Sequence, residues 1–176
     1  MEKKGASEIV TTAMLIALAV ISVGIVWIVV NNIVSENVQN SEACFGIFEK
    51  VILNSRYVCY NSSSNELIFS ISVEDIEIDE ILLGITVGGT GKSFRIYSQE
   101  GTVEGIRRYS DSGYGSSGES IKIPEKNSGL TYILNLTHAE LSGKPNNIQI
   151  APLIEGVQCE ISSSISQIEN CALFDI

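Results

Sequence analysis

What this chain has little of narrows its chemistry first. Basic residues are the minority, 11 Lys and Arg against 21 Asp and Glu, and the formal charge is −10 over 176 residues. Nucleic-acid binding draws most of its affinity from a basic face, so nucleic acid is not an expected partner. There is a single histidine, His138. A Ser-His-Asp site would need it, and no G-x-S-x-G elbow is present to present the serine. His138 therefore reads as a surface or packing residue. The four cysteines include no C-x-x-C pair, which removes zinc-ribbon and thioredoxin-like readings. Most telling, charge is missing altogether from Ile9 to Val30.

That uncharged stretch organises the rest. Lys3 and Lys4 precede it, then Gly5, Ala6, Ser7 and Glu8, and only Thr11, Thr12, Ser22 and Gly24 interrupt its apolar run. About 22 residues in a helix reach ~33 Å, enough for a bilayer core of ~30 Å. Lysines ahead of the run stay cytoplasmic, so the chain is expected to run N-inside, C-outside. An ordinary secretory signal has a shorter apolar core followed by a small-x-small cleavage site. Here no such site follows Val30, where the chain continues as Asn31-Asn32-Ile33, and the small pair Gly5-Ala6 lies in front. One reading is an uncleaved signal anchor.

The other rests on a resemblance. Lys3-Lys4-Gly5-Ala6-Ser7-Glu8-Ile9-Val10 resembles the class III leader of archaeal type IV pilin-like proteins. The resemblance covers residues 3–30 and is weaker over the remainder. It implies cleavage between Gly5 and Ala6 by a prepilin-type membrane aspartyl protease, and polymerisation through the retained helix. In bacterial pilins the acid is at the fifth mature position, whereas Glu8 would be third. The archaellin branch usually begins with more glycine, so a pilus fits better than an archaellum. Cleavage would remove both lysines and one Glu, taking the formal charge from −10 to about −11, and would leave Glu8 near a fresh α-amine with which it could pair. Glu8 also fits as a carboxylate favoured by a helix N-terminus, with Ser7 as its cap. Both roles are compatible.

Past Val30 the helical pattern continues through Ile33, Val34 and Val38 and is expected to end near Glu42. The period then changes. Phe45 to Tyr60 reads as a first strand. Leu67, Phe69, Ile71 and Val73 alternate with polar neighbours as a half-buried strand does. Ile81–Val87, the return strand of Phe94 and Ile96, a short strand within Val103–Tyr109, and another at Ile121 and Ile123 follow. Tyr132 to Leu136, Ile148–Ile154 and a loose alternation from Val157 to Ile168 complete the set. The expected fold is α+β: a long N-terminal hydrophobic helix, then an antiparallel β-sandwich-like head. Its divisions are a leader at 1–5, a membrane or filament-core helix at 6–42 and an extracellular β domain at 43–176.

Several motifs invite chemistry. Gly88-Gly-Thr-Gly-Lys-Ser93 falls short of a phosphate loop, because the first glycine of G-x-x-x-x-G-K-[ST] would be Thr86 and a strand, not a helix, follows. It reads as a hairpin turn. Gly113-Tyr-Gly-Ser-Ser-Gly118 matches the dinucleotide fingerprint by letter but lacks its strand–turn–helix setting. Glu74, Asp75, Glu77, Asp79 and Glu80 could attract calcium, yet EF-hand spacing is absent, and a charged strand edge explains them as well. Asn61-Ser-Ser63 and Asn135-Leu-Thr137 are N-glycosylation sequons.

The even number of cysteines, all on the outer side of the apolar run, suits a disulfide-bonded extracellular domain. Four cysteines allow three connectivities. If residues 44–59 form one strand, Cys44 and Cys59 are too far apart to bond. An antiparallel ladder between that strand and the C-terminal segment favours Cys44–Cys171 with Cys59–Cys159. The expected protein is thus a non-enzymatic filament subunit with no cofactor and no metal. Its partners would be copies of itself, a prepilin-type peptidase and assembly machinery. It would sit in the cell membrane before assembly and in an extracellular filament afterwards. The alternative is a single-pass anchored β domain that binds at the cell surface without polymerising.

Overall fold

The computed structural model describes residues 4–47, 49–114 and 120–171, with the backbone alone for 4–9 and 35–43. Helix α1 spans Lys4–Ala43. It contains no proline, and its apolar run is rich in Ala, Leu, Ile and Val. Within it, Val10–Val34 has a mean hydropathy of 2.9 and is long and apolar enough to cross a membrane. The Ser22 hydroxyl donates to the Leu18 carbonyl at 2.8 Å, so this polar group is satisfied inside the helix itself. A turn over Cys44–Gly46 follows, with Gly46 at φ 78, the left-handed conformation that commonly stops a helix. The chain divides after Glu42 into two compact units, the second beginning at Ala43.

The second unit holds two β-sheets. The first runs in the order β11 (Glu169–Asn170), β2 (Cys59–Asn61), β3 (Glu66–Val73), β7 (Ser128–Asn135), β6 (Ile106–Arg108), and β1 (Val51–Leu53) also pairs with β3. The second runs β10 (Ser163–Ile165), β8 (Asn147–Ile154), β4 (Glu80–Val87), β5 (Thr90–Tyr97), with β9 (Val157–Gln158) on β8. Every pair is antiparallel except β11 with β2. The α+β expectation, a long apolar helix followed by a two-sheet domain, is what the chain forms.

Alternation along the strands creates the core. On β3, Leu67, Phe69, Ile71 and Val73 are buried and meet Ile81, Leu83 and Ile85 of β4 and Ile148 and Ile150 of β8 in one cluster. Phe69 and Tyr132 are direct cross-strand partners, and their rings stack at 5.4 Å. Tyr132 is fully buried, and its hydroxyl donates to the Lys122 carbonyl at 2.6 Å. Burial holds this phenol well above its ordinary pKa, partly offset by the charge of Arg108.

The first expected strand is interrupted. Residues 51–61 form β1, a 3-10 turn at Ser55–Tyr57, and β2, rather than one extended run. Asn54 causes the break: its side chain accepts from the Arg56 amide at 3.2 Å and caps the turn. Both short strands still pair with β3, at opposite ends of it. The 88–91 hairpin forms as expected but is tighter. Only Gly88 and Gly89, at φ 56 and 88, make the turn, and Gly91, Lys92 and Ser93 already belong to β5. Ile121 makes a single bridge to Gly101 in place of the expected strand.

Two substitutions should separate packing from polar satisfaction in this core. Phe69→Ala is expected to cost about 3–5 kcal/mol through the cavity it leaves. Tyr132→Phe is expected to cost about 1–3 kcal/mol by stranding the Lys122 carbonyl. Chemical denaturation of both variants measures the difference.

Candidate functional site

Two regions carry functional interest, and the first is α1 itself. Of the leader residues, Lys3 lies outside the described residues. Lys4, Gly5, Ala6 and Glu8 are placed by backbone only, within the opening turns of α1. The Gly5–Ala6 bond is therefore part of the helix in the intact chain. From Val10 to Val34 the large side chains are exposed on every side, including Leu15, Leu18, Ile21, Trp27 and Ile28. A helix apolar all round has no polar face to give to water and is stable only when lipid or other helices cover it.

The disulfides differ from the expected pairing. Cys44 bonds Cys159, and Cys59 bonds Cys171, with Cα separations of 5.4 and 4.9 Å. The expectation of Cys44–Cys171 and Cys59–Cys159 assumed that the C-terminal segment runs antiparallel to one continuous first strand. Both assumptions fail. The first strand is broken at Ser55–Tyr57, and the C-terminal segment serves two sheets in turn. After β10 pairs with β8, the chain crosses to the other sheet and arrives beside β2 in the parallel direction. Glu169 is then level with Cys59, and Cys171 follows within bonding reach.

The second region is the outer face of the first sheet. Leu67, Tyr132 and Leu134 point inward, so their neighbours Glu66, Ile68, Thr131, Ile133 and Asn135 point outward. Register aligns Asn61 with Glu66 and Glu66 with Asn135. The two sequon asparagines thus flank Glu66 in one cross-strand row. Each is half-buried, and each accepts local backbone bonds, Asn61 from Ser63 and Asn135 from Thr137 and His138. Tyr114 donates to the Glu66 carboxylate, and the Arg107 guanidinium lies 5.2 Å over the Tyr114 ring. Burial first, then the Glu66 contact, raise the Tyr114 phenol above its usual pKa. His138 is exposed, with its ring 5.9 Å from that of Tyr114.

Beside this row is a groove of about 390 Å³. Ile68 and Thr131 belong to its floor strands, with Arg56, Tyr57, Asn61 and the Cys59–Cys171 bridge on the β2 side and Tyr109 on the β6 side. The sequence reading missed Arg56, Tyr57 and Tyr109. Arg56 and Tyr57 are adjacent but Tyr109 lies about fifty residues away, and the Ser55–Tyr57 turn and the Tyr109 amide's bond to the Thr131 carbonyl, 2.9 Å, bring them to one face.

The remaining motifs separate. Glu80 is buried and paired with Arg95 at 2.7 Å, while Glu77 pairs with Lys126 at 3.1 Å. Among the described residues no three His, Cys, Asp or Glu come together as a metal site. Of Gly113–Gly118, residues 115–118 lie outside the described residues. A long apolar helix followed by a two-sheet domain is a pilin-like architecture. No family model matches the chain, and no curated protein sequence matches it.

Peptide mapping without reduction should recover Cys44 joined to Cys159 and Cys59 joined to Cys171. Replacing Cys44 and Cys159 together by alanine is expected to lower stability by about 4–5 kcal/mol, since that bond closes a loop of 115 residues. Recovery of a Cys44–Cys171 peptide would contradict the pairing.

Proposed function

We propose that the chain is a pilin-like subunit of an archaeal surface filament, cut between Gly5 and Ala6 and polymerised through α1. The observation that carries this reading is the order of features: a basic pair, a small-residue pair, and then a helix whose apolar surface faces all directions. A cut ahead of the helix keeps it on the mature chain. It also removes Lys3 and Lys4, the charges that would resist withdrawal from the bilayer. Packing of many copies of α1 then replaces lipid as the cover for this surface. Repeated heterologous contacts that do not close give an open helical polymer.

In this reading the precursor waits in the membrane with its β domain outside, where disulfides persist. A prepilin-type peptidase and an assembly machinery are its processing partners. The β domain is structural and adhesive, with no catalysis and no cofactor. The competing reading, an uncleaved single-pass anchor, draws on the same length of Val10–Val34 but needs the first five residues to remain.

Intact mass of the native protein separates the two, and the filament reading expects a chain that begins at Ala6. Gly5→Asp is expected to leave the leader attached and abolish filaments. Normal filaments from that variant would reject the proposal.

A further inference from the structure

We infer that the groove on the outer face of the first sheet binds an acidic oligosaccharide, with Arg56 taking a uronic-acid carboxylate between Tyr57 and Tyr109. This goes beyond the filament reading and does not depend on polymerisation.

Charge is the first argument. The chain carries 21 carboxylate side chains, yet among the described residues none lines this groove. The one cation that lines it among the described residues, Arg56, is also the arginine without a partner among them. Arg95 is held by Glu80, Arg107 by the Asp111 carbonyl, and Arg108 by Glu100 and the Ser120 carbonyl. Arg56 has no side-chain hydrogen bond or ion pair among the described residues. A guanidinium with no partner among the described residues, in a groove that none of their carboxylates lines, suits an anion, and its planar fork matches a carboxylate in two-point contact.

The other walls choose the class of anion. Tyr57 and Tyr109 are each 51% exposed, each offering a flat apolar ring with a hydroxyl at its edge. A sugar presents the complement, a C–H face bordered by hydroxyls. Asn61 Oδ1 is occupied by the Ser63 amide, which leaves its Nδ2 to donate, and the Thr131 hydroxyl can donate or accept. Ile68 adds an aliphatic patch to the floor. The frame is rigid, because β3 and β7 pair over eight residues beneath it and Cys59–Cys171 fastens its side. A preformed site loses little to ordering when it binds.

The test uses the full chain, made in a bacterium without N-glycosylation and held in detergent micelles. Calorimetry compares trisaccharides of galacturonate, glucuronate and mannuronate with neutral maltotriose. At least one acidic probe is expected to bind roughly tenfold or more tightly than maltotriose. Arg56→Ala should remove that preference, Arg56→Lys should restore part of it, and Tyr57→Ala and Tyr109→Ala should each weaken binding. Tyr97→Ala, an exposed tyrosine of the other sheet, should change nothing. Thermal midpoints of the variants verify that each one folds. The inference is overturned if none of the acidic probes binds, if Arg56→Ala leaves affinity intact, or if native material carries a covalent glycan on Asn61 whose removal is required before any probe binds.

Discussion

An apolar surface that the chain cannot cover by itself is the constraint behind this molecule. Along α1 the large side chains from Val10 to Val34 leave no polar stripe. Each Leu, Ile or Val buried against lipid or a neighbouring helix is worth about 1.5–3 kcal/mol relative to water. Summed over such a helix, that term exceeds the whole net stability of an ordinary domain, about 5–15 kcal/mol. The helix therefore needs a cover that the chain itself does not supply, lipid or other helices. The small pair Gly5-Ala6 lies ahead of this helix's apolar run in the chain.

The β domain meets a different requirement, to close a core from short strands. Its C-terminal segment pairs first with β8 in one sheet and then with β2 in the other. Strands this short contribute few backbone bonds, and β11 has only two residues. The Cys59–Cys171 bond fixes what so brief a ladder cannot. Cys44, one residue past the end of α1, is bonded in the same way to Cys159. Tension between α1 and any point beyond Cys159 cannot lengthen residues 45–158 while that bond is closed.

Much of this fold is legible in the sequence, for physical reasons that can be named. The helix is legible because no proline falls within Lys4–Ala43 and no charge within Ile9–Val30. β3 and β4 are legible because buried and less buried residues alternate along most of their eight positions, and β8 because it does so over Asn147–Ile150; β7 shows no such alternation and is read from its apolar residues Tyr132 and Leu134. The disulfide pairing is not, because it depends on the direction in which a two-residue strand arrives, and no periodicity encodes direction. The break in the first strand rests on one Asn54 side chain that caps a turn, a local competition that hydrophobic pattern does not register. The groove is legible least of all. Arg56, Tyr57 and Tyr109 belong to no motif, and the Ser55–Tyr57 turn and the Tyr109 amide's bond to the Thr131 carbonyl place them on one face.

The two sequons show how register adds meaning that spacing cannot. Asn61 ends β2 and Asn135 ends β7, and β3 between them aligns both with Glu66. Outward alternation puts that row on the face that also carries the groove. The opposite face of the same strands holds Leu67, Phe69, Tyr132 and Leu134, all fully buried. A change of one residue in the β2–β3 or β3–β7 register would reverse these faces, sending Asn61 and Asn135 into the core and Leu67 and Leu134 into water. The packing of Phe69 against Tyr132 opposes a slip between β3 and β7, so the aromatic pair that stabilises the interior also keeps Thr131 and Asn135 on the outer surface.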